Sequence, residues 1–245
     1  MAGPTVSDER KHRKVILAFL SRSKHFSATD LAFQAAACDL QMRQHFALAW
    51  GLEPWACIAM GKITAVPGEL FHPVAFMDSI GEPGALGFHD DNAGYEYARV
   101  IVPMDRADAS TASHEAVEFR ADEACDQYRA MADGREVALE TGDPVESDGY
   151  AVQVTIAGES RWISVSNFVL PSYFIPGSKG PWDYMHRLSG PAPAMTPGGY
   201  LILRDSKSGE ISQVFADRAA ARHFALKKAD PTSRLARRLA QAAQP

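Results

Sequence analysis

Cysteine is scarce: three in 245 residues, at positions 38, 57 and 125, too few and too scattered for a disulfide framework or a thiolate zinc site. No Cys-x-x-Cys pair occurs, so each cysteine reads as a small buried apolar residue, and Cys125, with no histidine–aspartate pair beside it, is not a candidate nucleophile. Long apolar runs are absent as well, and no sustained apolar stretch follows the basic N-terminal segment. A cytoplasmic protein without a membrane partner is therefore expected. Gly-x-Ser-x-Gly, a phosphate-cradling Gly-Lys-Ser/Thr loop and Gly-x-Gly-x-x-Gly are all missing, which removes the common serine-hydrolase, NTPase and dinucleotide readings. Basic residues are not in excess either. With 25 Lys and Arg against 30 Asp and Glu, the net charge is -5, and no nucleic-acid partner is expected.

What is present is an ordinary globular composition, 46% hydrophobic and 22% charged, enough to bury a real core. The charge is unevenly placed. Both ends are basic (Arg10 to Lys14; Arg234, Arg237 and Arg238), whereas Glu115 to Asp148 is crowded with carboxylates. Packed carboxylates repel one another unless a cation or hydrogen bonds hold them, so an acidic centre that contains a histidine calls for a reason.

The apolar run Val15–Leu20 fits a buried strand or a first helical turn, and periodicity cannot separate the two. Ser27-Ala28-Thr29-Asp30 is an N-cap pattern that opens a helix from about Ala28 to Trp50, closed by Gly51. Strands are expected at Ala56–Met60, Pro73–Met77 and Tyr97–Pro103, with a Gly- and Asp-rich loop from Gly81 to Gly94. A second helix is expected from about Ser110 to Met131, then a polar, acidic turn region from Asp133 to Gly149. Tyr150–Ile156 and Arg161–Val165 alternate around Gly158 as a hairpin would, and Gly199–Arg204 with Ile211–Phe215 suggests another. Prolines make the segment from Pro171 to Pro197 mostly loop. A helix from about Asp217 to Lys227 and a short basic one after Pro231 close the chain. The fold class expected is α+β: one domain with a long N-terminal helix, a central motif-bearing helix packed on a small mixed sheet, and C-terminal hairpins. Its bounds are 15–228, between a disordered basic N-terminus (1–14) and a basic C-terminal tail (229–245).

The chemistry concentrates in Ser113-His114-Glu115-Ala116-Val117-Glu118. Positions i and i+4 of a helix share a face, so His114 and Glu118 can grip one divalent ion. Zinc accepts imidazole nitrogen and carboxylate oxygen at similar distances. Glu115 falls beside that pair, where metallopeptidase helices of the His-Glu-x-x-His kind carry their general base. By average residue usage roughly one chain in fifty of this length holds a His-Glu-x-x-Glu string by chance, so a third ligand must be sought. Glu140 or Asp143 can supply it, the other then orienting His114. His89, in a Gly-rich loop next to Asp90, is a further candidate for metal or substrate.

These blocks resemble a group of bacterial and phage-associated proteins regarded as metallopeptidases. The resemblance rests on Trp50-Gly51, Gly84 to Asp90, Ser113 to Glu118, Glu140 to Glu146, Val165 to Phe174 and Gly198-Gly199-Tyr200, in that order, over residues 30–204. Three departures mark this chain: Glu123 follows Asp122 where the group has proline, Gly142 stands in place of a cysteine, and Asn167 in place of an aspartate. The resemblance implies a zinc-dependent peptidase acting on a peptide or protein substrate. His114, Glu118 and one of Glu140 or Asp143 would hold the ion, Glu115 would be the base, and His89 or Tyr173 would face the developing oxyanion. The alternatives are a non-catalytic metal-binding scaffold, a phage-related structural or interaction protein, and an amidase acting on cell-wall peptides.

Overall fold

The computed structural model describes residues 13–81, 85–91 and 95–217. The expectations for the N-terminal twelve residues, for the helices after Asp217 and for the basic tail lie outside these residues.

Strand β1 (Lys14–Ser21) resolves the ambiguity of the first apolar run. It is flanked on both sides by parallel partners, β2 (Ala56–Ala59) and β3 (Glu69–Met77), so five consecutive residues, Ile16 to Leu20, are buried. A strand covered on both faces reads as a continuous apolar run rather than an alternating one. Next in the sheet comes β5 (Glu96–Ile101), parallel to β3. The edge is β4 (Gly87–Asp91), antiparallel to β5. This β4 lies inside the segment expected to be loop. Its glycine and paired aspartates are poor strand formers, and only pairing with β5 draws them into the sheet.

Helix α1 runs Ala28–Gln41, continues through a π-helical stretch, Met42–Phe46, and ends in the turn Ala47–Trp50. The Ser27 hydroxyl accepts from the Asp30 amide at 3.1 Å, and Gly51 leaves the helix at φ 63°. A left-handed residue at that place is what glycine permits without a Cβ penalty. Phe33 and Phe46 of α1 enter the main core with Phe19 and Phe76 of the sheet, all fully buried. Each such ring contributes about 1.5–3 kcal/mol of burial.

Helix α2 (Ser110–Ala121) carries the motif and is shorter than expected. The expected continuation to Met131 fails at Asp122, whose carboxylate turns back to accept from the Gln127 amide at 2.8 Å. A short polar side chain that binds nearby backbone offers the chain an exit from the helix. Cys125 then takes a left-handed φ of 55°, and residues beyond it form β6 (Tyr128–Ala130). Eight consecutive residues of α2, Ala112 to Phe119, are buried. The helix packs on β9 (Glu159–Ser166), β4, α1 and β5.

Strand β9 pairs with β8 (Gly149–Ile156). A second, four-stranded antiparallel sheet runs β11 (Ile211–Phe215), β10 (Tyr200–Asp205), β7 (Arg135–Ala138), β6. It builds a second core with Leu139, Val145, Val169, Tyr173 and Leu201, and Trp50 and Ala121 touch both cores. The architecture is thus mixed α+β.

The proline-rich segment is tied down by a buried polar pair. Asn167 donates from Nδ2 to Asp183 at 2.7 Å, while Asp183 accepts from the Arg187 and Leu188 amides. Asn167 therefore acts as a donor, which an aspartate there could not be. Asn167→Asp is expected to cost about 1–3 kcal/mol in urea unfolding, the usual penalty for spoiling a buried polar partner.

Candidate metal centre

The centre lies where α2 meets the segment between β7 and β8. That segment was expected to be an acidic turn. It is instead deeply buried: Glu140 is 4% exposed, Thr141 0% and Asp143 3%. Ionised carboxylates do not stay in such a place without partners. The partners are histidines. His114 Nε2 lies 3.2 Å from Glu118 Oε2 and 3.3 Å from Asp143 Oδ1. Two ligands of a tetrahedral ion with bonds of about 2.0–2.2 Å stand roughly 3.3–3.6 Å apart. One atom from each of the three residues lies within 4.8 Å of the others, and all three residues are buried. The residues present therefore fit a divalent ion in donor type and in spacing.

Their surroundings hold them in place. Glu118 Oε1 accepts from the Gly142 amide at 3.0 Å, leaving Oε2 to face His114. The other imidazole nitrogen, His114 Nδ1, faces Glu146 at 3.5 Å. A carboxylate behind the histidine fixes its tautomer and raises its basicity toward a metal. Tyr200 lies beside Asp143, and burial, with Asp143, Glu146 and Glu118 near it, pushes the tyrosine hydroxyl's pKa well up. Asp143 itself sits at the start of a 3-10 turn (Asp143–Val145). Gly199 lets β10 reach that turn, since a Cβ there would meet the Pro144 carbonyl oxygen at 2.4 Å.

Gly142 is the tightest point. A Cβ at this position would stand 2.4 Å from His114 Nδ1, so the ring must move if a side chain is added. Gly142→Ala is expected to weaken metal binding about 10–100-fold, the usual range for disturbing the support of a ligand, while the fold is retained. Competition of the purified variant against a metal chelator measures it.

Electrostatics agree with a site built for a cation. Burial pushes the Glu118 carboxyl up, to about 8, with Asp143 and Glu140 adding to the shift and His114 opposing it. Burial works against charge on His114, yet Glu118, Glu146 and Asp143 carry its pKa well above the ordinary imidazole value.

His89, on β4, joins the same centre from the sheet side. It is 0% exposed, and its Nδ1 hydrogen-bonds with Glu115 Oε2 at 3.1 Å. Nε2 faces Glu140 at 3.9 Å. Gly87 makes room for Glu115, because a Cβ there would meet the Glu115 carboxylate at 2.9 Å and Thr111 at 2.6 Å. Burial disfavours charge on His89, and Cys125, Glu115 and Glu140 outweigh it, raising the pKa well above its usual value. Cys125, far from any histidine in sequence, thus lies against His89 and donates to its carbonyl at 3.9 Å.

Of the residues expected from the sequence, His114, Glu118 and Asp143 come together directly. Glu140 falls in a different group, with His89 and Glu118. Tyr173 is placed elsewhere. Its ring fills the second core and its hydroxyl donates to the Ala194 carbonyl at 2.7 Å, so it has no part in the centre. Glu146 and Tyr200 take supporting roles that sequence reasoning did not assign, although both stand in motif blocks already singled out.

A third cluster joins His72 to Glu96 and Glu123. The ring's two nitrogens face different carboxylates, Nδ1 at 3.6 Å from Glu96 and Nε2 at 2.9 Å from Glu123. Phe119 lies against both His72 and His89, with ring centroids 5.1 Å and 5.5 Å apart.

No protein-family model, curated protein or solved structure matches the chain. The metal reading therefore stands on the geometry of this chain alone. No helix among the described residues is long and apolar enough to cross a membrane.

Proposed function

We propose that the protein is a metal-dependent hydrolase of the peptidase kind, with a divalent ion, zinc in the first instance, held by His114, Glu118 and Asp143. The observation that carries this reading is the spacing of three buried ligand atoms around one point, at 3.2 Å and 3.3 Å from the imidazole nitrogen. An ion bound there would supply Lewis acidity and bring the pKa of a water toward 7. Glu115 takes the proton of the attacking water and returns it to the leaving amine. His89 holds Glu115 in place through the 3.1 Å bond and stabilises its charge. Glu146 fixes the His114 ring. The substrate class is a peptide or protein, and the sparse unpaired cysteines suit the cytoplasm.

A second reading has one observation in its favour. Every ligand is less than a tenth exposed, from 2% for Glu118 to 8% for His114, as befits an ion that only pins α2 to the acidic segment. Glu115→Gln separates the two. For the hydrolase, turnover on a peptide library falls about 10²–10⁴-fold while the ion held by His114, Glu118 and Asp143 is retained. Wild-type protein that holds metal but cleaves nothing favours the structural ion.

A further inference from the structure

Glu118 belongs to two ligand groups at once. Besides the set with His114 and Asp143, it forms a set with His89 and Glu140, all three buried. The same oxygen, Oε2, faces both histidines, 3.2 Å from His114 Nε2 and 3.7 Å from His89 Nδ1. Its sister oxygen is already committed to the Gly142 amide. Toward His89 this oxygen faces Nδ1, the nitrogen that Glu115 also holds, so its place in the second set rests on the grouping itself, in which one ligand atom from each of the three residues lies within 4.8 Å of the others.

The second observation concerns His89 itself. Its Nδ1 is engaged by Glu115, which is how a ligating histidine is held when the carboxylate behind it selects the tautomer. That leaves Nε2 as the bare nitrogen. This atom is buried and has no hydrogen-bond partner among the described residues, and it faces Glu140. A buried, unpartnered ring nitrogen directed at a carboxylate is costly unless something occupies the space between them. His89 is moreover positioned by β4, whose residue 89 registers against Ala98 of β5, and by Phe119 beside its ring.

We propose that the centre is dinuclear: a second divalent cation binds His89, Glu118 and Glu140, and Glu118 bridges it to the ion held by His114 and Asp143. The inference rests on the metal reading given above and extends it. The two sets resemble each other in kind, each with one imidazole, one private carboxylate and a share of Glu118. Each histidine also has its own carboxylate behind it, Glu115 for His89 and Glu146 for His114. The second set is wider: His89 Nε2 stands 3.9 Å from Glu140, against 3.2 Å and 3.3 Å around His114 Nε2. A mostly oxygen donor set of that width suits an ion of the manganese class as well as zinc. Two-ion centres place their metals about 3.5–4 Å apart and can clamp both the attacking and the leaving atoms. The substrate is then the peptide of the reading above, with a carbonyl oxygen that can reach both ions.

Stoichiometry tests this. Full-length protein is stripped of metal, titrated with Mn(II), and read by elemental analysis and by electron paramagnetic resonance. The expected result is two equivalents in the wild type, with the six-line signal lost to coupling between neighbouring ions. One equivalent and an isolated-ion signal are expected in Glu140→Gln, a near-isosteric change, and in His89→Gln. One equivalent in the wild type, unchanged by Glu140→Gln, overturns the second site and leaves the single-ion reading standing. No metal in any of the three overturns both.

Discussion

Glu118→Gln is expected to abolish metal binding and at the same time to stabilise the metal-free protein in alkali. Both effects follow from one carboxyl. With its pKa lifted by burial from 4.5 to about 8, Glu118 binds a proton in the folded state at pH values where the unfolded chain has released it. A carboxyl raised in this way contributes stability that is fully present below pH 4.5 and is lost as pH rises through 8. The elevated pKa of His114 acts in the same direction, its contribution fully present below 6.5 and lost as pH rises from there through its raised folded value. The neutral amide of glutamine keeps an acceptor for the Gly142 amide and removes the buried charge. Metal-free Glu118→Gln should therefore melt above the metal-free wild type at pH 8.5, and the order should reverse once a saturating ion is added. Equal melting temperatures for the two metal-free proteins at pH 8.5 would mean that Glu118 bears no such burden.

Metal removal is the second large effect, and it depends on pH. An ion that binds only the folded state adds about 4 kcal/mol at a thousandfold excess over its Kd. For a domain of this size that is roughly 8–16 °C in Tm. Protons compete with the ion for Glu118 and His114, so the gain should be small at pH 5.5 and grow toward pH 8.5. Meanwhile the metal-free form loses stability over the same interval, so the two melting curves diverge as pH rises. Thermal melts with and without EDTA at four pH values measure this. A chelator-insensitive Tm throughout contradicts it.

Several parts of this structure are legible in the sequence, and each has a local cause. The ends of α1 are written in Ser27 and Gly51, which cap it. The turn at Ala157-Gly158 marks the β8–β9 hairpin through its two left-handed residues. The His114–Glu118 pair follows from helix geometry alone. What the sequence conceals is decided by distant contacts. β4 hides in a glycine-rich run because Gly87 answers to Thr111 and Glu115, not to its neighbours in the chain. The acidic segment after β7 reads as solvated because its charges are balanced by histidines 26 or more residues earlier. For the same reason the choice between Asp143 and Glu140 stays open in the sequence, whereas in three dimensions each has a different histidine. The end of helix α2 is not legible because nothing in its pattern reveals that the Asp122 carboxylate accepts from the Gln127 amide. Tyr173 and Tyr200 both lie in motif blocks, and only the packing separates the core tyrosine from the one beside Asp143.

The central claim is that His114, Glu118 and Asp143 hold an ion. The most direct test is elemental mass spectrometry of untagged protein, wild type beside His114→Ala, with circular dichroism to verify that both are folded. At least one equivalent of zinc or another divalent metal in the wild type, with an equivalent lost in the variant, is the predicted result. Folded wild-type protein that carries no metal, and takes up none when it is offered, would contradict the claim.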